Sequence, residues 1–205
     1  MGSLILPKLP VLDFSRKDLE PGTTTWFKTC NDVRQALEDY GCFIMEYNKL
    51  PPKLCGEVFG CLKDLFDLPT ETKKKNRYEK PLNGYVGPIL KLPLHENQMV
   101  TRMVFESYGV EKYYDSYKNS ITYLLRVLKN RFPKGDEPNL GFFTHTDKSF
   151  TTILHQNQIN GLEIDTRDGQ KINVDFSSPS SFVVIAGDAF MDTFSEPSSD
   201  NERGS

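Results

Sequence analysis

Halfway along this chain the apolar residues change their period, and that change limits the folds open to it. Trp26, Cys30, Val33, Leu37 and Tyr40 recur at helical spacing. Thr23–Thr25 offers an N-cap and Gly41 suits the position just past a helix end. Pro51-Pro52 opens a second helix with Leu54, Val58, Leu62, Leu65 and Phe66 on one face. Pro69-Thr70-Glu71 starts a short third, Asn83-Gly84-Tyr85 marks a loop, and a further helix is predicted from about Gln98 to Tyr108. In that helix Met99, Met103 and Val104 face inward, and Gly109 ends it. Short strands are predicted at Leu9–Phe14 and Cys42–Tyr47. Beyond residue 120 the period falls to two. Ile121, Tyr123, Leu125 and Val127 alternate as a strand would, followed by strands at Phe150–Gln156, Leu162–Thr166, Gln170–Asp175 and Ser181–Ala186. Asn160-Gly161 and Asp168-Gly169 carry the residues of tight hairpin turns.

The order of elements predicts a mixed α and β fold, with N-terminal helices packed on an incomplete double-stranded β-helix, or jelly roll. About six strands can be counted where eight are usual. The division read from the sequence is a helix-rich region over 1–120, a partial jelly-roll core over 121–191 and a polar, disordered tail over 192–205.

Composition removes several classes of function. A formal charge of −3 and a pI near 5.7 argue against a nucleic-acid partner. Lys73-Lys74-Lys75 is the sole basic cluster and reads as a solvated helix end. No apolar run reaches the roughly 18 residues of a membrane span. Met1-Gly2-Ser3 lacks the Ser or Thr that myristoylation wants at the place of Leu6. Cys30, Cys42, Cys55 and Cys61 form no Cys-x-x-Cys pair, which points to free thiols and a cytoplasmic setting. Cys42 and Cys61 fall on apolar faces and read as core residues.

The chemistry lies in His145-Thr146-Asp147. Residues two apart on an extended segment point to the same side, so the imidazole and the carboxylate can reach one cation. A non-haem Fe(II) site takes such a pair plus one more His, and leaves its other face open. Three further groups invite the role of partner. His155 follows on the next strand, but at about 3.3 Å per residue it lies about 16 Å from that strand's start and reads as a half-buried strand histidine. His95 sits in a Pro-flanked loop and reads as a surface residue. Arg203-Gly204-Ser205 could clasp a carboxylate, but no apolar strand surrounds it. Asp188, after Gly187 at a strand end, reads as a turn residue.

These stretches resemble the plant 2-oxoglutarate- and Fe(II)-dependent dioxygenases, most closely the AOP-like branch that modifies glucosinolate side chains. The resemblance rests on Leu9–Asp13, Leu37–Phe43, Leu65–Pro69, Gly84-Tyr85, Thr144–Lys148, Thr152–Asn157, Gly161–Glu163 and Ser181–Val184 with Gly187-Asp188. It implies His145 and Asp147 as metal ligands, Fe(II) and 2-oxoglutarate as cofactor and cosubstrate, and ascorbate as reductant. It implies hydroxylation or desaturation of a small molecule of plant secondary metabolism. Three departures accompany it. The match stops near Met191, before the strands that would carry a third ligand and an Arg-x-Ser motif. The helical stretch after Gly84-Tyr85 is short, with Leu92–His95 passing almost directly into Gln98–Val100. Arg131-Phe132-Pro133 stands where the family often has a Tyr. The expectation is therefore a truncated oxidoreductase of impaired activity. The alternative is a non-catalytic fragment that binds a small molecule or pairs through exposed sheet edges.

Overall fold

The computed structural model describes residues 8–76, 94–129, 134–136, 143–157, 159–166, 169–176 and 178–194, apart from the side chains of residues 52 and 94–96. The elements run β1 (Val11–Asp13), α1 (Thr24–Tyr40), β2 (Cys42–Glu46), α2 (Pro52–Asp67), α3 (Thr70–Lys73) and α4 (Leu94–Ser107). A 3-10 turn (Glu111–Tyr113) leads into α5 (Tyr114–Ser120). Then come β3 (Thr151–Leu154), β4 (Glu163–Asp165), β5 (Lys171–Asn173), β6 (Ser181–Ala186) and α6 (Asp188–Phe194).

The first helix begins and ends where its capping residues dictate. The Thr23 hydroxyl accepts the Trp26 N–H at 3.1 Å. Gly41 takes φ 71°, a left-handed conformation that costs glycine little, and its N–H closes the last turn on the Leu37 carbonyl at 3.0 Å. The turn delivers the chain at once into β2. Strand order is β1-β2-β6-β3, with β1 parallel to β2 and the other neighbours antiparallel. The helical and the strand-rich halves thus share one sheet, because β2 of the first half is hydrogen-bonded to β6 of the second.

Alternation along these strands builds two cores. Phe43 and Met45 of β2 and Phe182 and Val184 of β6 face α1, α4 and α6, where they meet Trp26, Val33, Leu37, Met103, Val104 and Phe190. Cys42, Ile44 and Val183 face the other way, onto Ile172 and Val174 at the β4–β5 hairpin. The result is a helical layer, a four-stranded sheet and a small hairpin layer. The Trp26 indole N–H donates to Glu106 at 2.6 Å, and Arg102 pairs with the same carboxylate at 2.8 Å, locking α1 to α4. The mixed fold with helices packed on a jelly-roll sheet is as the sequence predicts.

Several local expectations need correction. Residues 121–128 form no strand: among the described residues no neighbouring strand accepts their hydrogen bonds, and alternation becomes a strand only where a ladder exists. Asn160-Gly161 is not a tight hairpin turn, since β3 and β4 lie in different sheets. The Asn160 side chain instead bridges Gln156 and Asp175. The second turn does join β4 to β5, with Gly169 at φ 79°. The tail was expected from residue 192, but α6 runs through Asp192 to Phe194, because Phe190 and Phe194 share a helix face that packs on the core. Cys61 is exposed, while Cys42 and Cys30 are buried. On α2 the expected apolar face is only half covered, and Leu54 is exposed.

Candidate metal centre

His145 and Asp147 lie on the segment that leads into β3, and the far end of β6 holds that segment in place. The Asp188 N–H donates to the Asp147 carbonyl at 2.7 Å, and the Gly187 N–H donates to the Phe150 carbonyl at 3.0 Å. Phe150 then anchors the turn in an aromatic cluster, with ring centroids 5.0 Å from Tyr117 and 5.3 Å from Phe190. Asp188 also grips the segment through its side chain. Its carboxylate accepts from the Thr146 hydroxyl at 3.1 Å and from the Lys148 ammonium. These bonds, Lys148 first, hold the Asp188 carboxyl below the usual carboxylate range.

Thr146 therefore turns toward Asp188, and its two neighbours share the opposite side, as the alternation of an extended segment requires. His145 Nε2 faces Asp147 Oδ1 at 3.5 Å. His145 Nδ1 lies 2.8 Å from the Phe143 carbonyl oxygen. A carbonyl only accepts, so Nδ1 carries the proton, and in the neutral ring Nε2 carries the lone pair. The other Asp147 oxygen, Oδ2, accepts from the Thr152 hydroxyl at 2.5 Å. Ser149 and Thr152 hydroxyls are 3.0 Å apart.

The geometry of this pair would let both donors reach one metal ion. Two donors each about 2.1 Å from a shared cation can stand 3.5 Å apart. Each also has the outer partner that metal ligands have: a backbone carbonyl for the imidazole and a hydroxyl for the carboxylate. Among the described residues no group of three His, Cys, Asp or Glu side chains could close around a metal ion. His155 is a half-buried residue just past β3. Its ring stacks 4.5 Å from Phe182 and lies tilted 5.4 Å from Phe59, and Nδ1 lies 3.0 Å from the Ser181 carbonyl. It belongs to the packing, as expected. His95 falls within α4 and not in the loop that its prolines suggest, because the helix begins at Leu94; its side chain lies outside the described residues, as do Gly84-Tyr85, Arg131–Pro133 and Arg203–Ser205.

Two residues of the site escape a reading by motif. Asp188 looks like a turn residue because its partners, Thr146 and Lys148, are about forty positions upstream. Thr152 looks like an ordinary strand threonine. Its position five after Asp147 carries no signal until the turn between them is known.

Residues 9–106 match the family model described as non-haem dioxygenase in morphine synthesis N-terminal. Residues 119–199, His145 and Asp147 among them, match that of the 2OG-Fe(II) oxygenase superfamily. The chain is similar to the probable 2-oxoglutarate-dependent dioxygenase AOP1 of Arabidopsis thaliana, 37% identical over 227 residues, covering 89% of this chain and 70% of the relative. Those 227 positions draw on about 182 residues of this chain (89% of 205), so within the matched span the relative fills about 45 positions that this chain does not. Among solved structures, a C-terminally truncated protein of Neurospora crassa in apo form superposes with a TM-score of 0.67 at 20% identity, covering 90% of this chain and 84% of that one. AtDAO1, the dioxygenase for auxin oxidation 1 of Arabidopsis thaliana in its 2-oxoglutarate complex, gives 0.58 at 19% identity, covering 90% and 85%. These two likenesses concern the fold, and the sequence matches carry the assignment: the chain belongs to the 2OG-Fe(II) oxygenase superfamily.

Proposed function

We propose that this chain is a 2-oxoglutarate-dependent dioxygenase that acts on a small plant secondary metabolite, with His145 and Asp147 as protein ligands to Fe(II). The observation that carries the reading is the facing of His145 Nε2 and Asp147 Oδ1 at 3.5 Å within the superfamily match. Ferrous iron, 2-oxoglutarate and O2 would together supply the oxidative decarboxylation, in which O2 is the oxidant, to succinate and CO2 that drives hydroxylation or desaturation. The chain's own residues orient and hold. Phe143 fixes the imidazole tautomer, Thr152 holds one carboxylate oxygen, and Asp188 ties down Thr146 and Lys148 on either side of Asp147. Ascorbate is the expected reductant, and the four unpaired thiols suit a reducing, cytoplasmic setting.

Two described protein ligands support a weak site, because each missing ligand costs affinity. The 205-residue chain is therefore an impaired enzyme in this reading. The test is turnover with Fe(II), ascorbate and 2-oxoglutarate, read as succinate. Succinate formed at rates ordinary for a dioxygenase and abolished in His145→Ala would refute the impairment and keep the family chemistry. Succinate unchanged in His145→Ala would remove the site assignment.

A second reading, a partner-pairing fragment, is favoured by one feature. Leu124 and Leu128, on the 121–128 segment that pairs with no strand among the described residues, are 55% and 63% exposed. An apolar alternating segment without a ladder offers its backbone to another strand. Sedimentation of the chain against Leu124→Lys and Leu128→Lys distinguishes the readings: association lost in both variants supports pairing, and a monomer throughout excludes it.

A further inference from the structure

We propose that Thr152 is the positioning residue that sets how Asp147 presents its carboxylate to the metal. The inference rests on the assignment of His145 and Asp147 as ligands and adds a residue to it. The Thr152 hydroxyl donates to Asp147 Oδ2 at 2.5 Å, while the other oxygen, Oδ1, is the one that faces His145 Nε2. A carboxylate with one oxygen held in this way is biased toward meeting a cation through the other. One-oxygen ligation leaves a coordination position open that two-oxygen ligation would fill, and this class of site needs open positions for cosubstrate and O2.

Two observations show that the hydroxyl is placed rather than merely nearby. Thr152 sits in β3 directly opposite Ile185 of β6, so a sheet ladder, not a loop, sets its height and direction. Its own oxygen is supported in turn. The single Thr152 proton goes to the carboxylate, so the Ser149 hydroxyl, 3.0 Å away, donates to Thr152. A short chain of hydroxyls, Ser149 to Thr152 to Asp147, thus converges on the ligand from the protein side, in the role that outer hydrogen bonds play at other metal centres.

The experiment is a titration of the purified chain with Co(II), followed by calorimetry and by the visible d–d bands. The unsubstituted chain is compared with Thr152→Val, Thr152→Ser, His145→Ala and Asp147→Ala, and thermal unfolding is recorded for each. Valine keeps the branched shape and removes the proton. T152V is expected to bind Co(II) about 10- to 100-fold more weakly and to shift the d–d bands as the freed carboxylate changes its mode of ligation. T152S restores both, and neither variant unfolds at a changed temperature. Should T152V fail to fold to the wild-type circular dichroism, Thr152→Ala is read in its place. Wild-type affinity and spectrum in T152V, with binding lost in H145A and D147A, overturns the role of Thr152 alone. Unchanged binding in H145A and D147A, or no saturable binding by the unsubstituted chain, removes the ligand assignment and this inference with it.

Discussion

Gly187 and Ser149 meet backbone to backbone: a Cβ placed on Gly187 would lie 1.9 Å from the Ser149 carbonyl oxygen and 2.8 Å from that of Asp147. The obstacle is main chain on both sides, so neither partner can swing away as a side-chain tip would. Gly187→Ala should push the 147–149 turn off the end of β6, at the upper end of the roughly 1–3 kcal/mol typical of overpacking. Urea unfolding reads the loss. A midpoint equal to wild type would mean that the contact relaxes without cost.

Phe190 is the buried anchor of α6, 2% exposed among Phe150, Phe194 and the helical core. Phe190→Ala removes a whole ring from a closed cluster and should cost about 3–5 kcal/mol. Because Phe150 borders the turn that carries the proposed ligands His145 and Asp147, the same variant should also weaken Co(II) binding. Loss of stability with wild-type Co(II) affinity would show that α6 and the turn are energetically separate.

His155 links pH to stability. Burial pushes its imidazole below the ordinary 6.5, partly opposed by the bond to the Ser181 carbonyl. Below pH 6.5 the unfolded chain takes up a proton that the folded ring resists, so stability falls with pH across that window and levels off below the folded value. It is fully present above pH 6.5. A His155→Phe variant, which keeps a ring against Phe182 and Phe59, should show a flatter dependence of the urea midpoint between about pH 7.5 and 5. Parallel curves for the two proteins would remove His155 as the source.

The thiols should divide by burial. Burial pushes both Cys30 and Cys42 up to about 12, leaving almost no thiolate near neutral pH. Cys61 is exposed on α2 and Cys55 is half-buried. A disulfide reagent at about pH 8 should label Cys61 first and Cys55 more slowly, and reach Cys30 and Cys42 only on unfolding. Labelling of Cys42 at the rate of Cys61 in folded protein would contradict the packing of the β4–β5 hairpin layer that covers it.

Much of this architecture is written in short stretches. Thr23 and Gly41 mark the ends of α1 because capping acts over three or four residues. The apolar runs of β2 and β6 read as strands, and the structure shows what the runs leave open, burial of one face under the helices and of the other under the hairpin. Residues 121–128 show where such reading stops. Their apolar residues alternate as in a strand, yet a ladder needs a neighbour, and among the described residues none pairs with them. Cys61 shows the same limit: helical spacing put it on an apolar face, but whether anything covers that face is a tertiary matter.

The sequence by itself determined the family to which this chain belongs: a histidine and an aspartate two apart, set in stretches that resemble one family and match its models. Only the tertiary structure decided how that pair is held. Gly187, Asp188 and Thr152 reach His145-Thr146-Asp147 through the packing of β6, α6 and β3, and such contacts leave no spacing to read along the chain. The physical reason is range. Caps, turns and alternation act between near neighbours, whereas the orientation of a ligand depends on groups that only the folded backbone brings within a hydrogen bond.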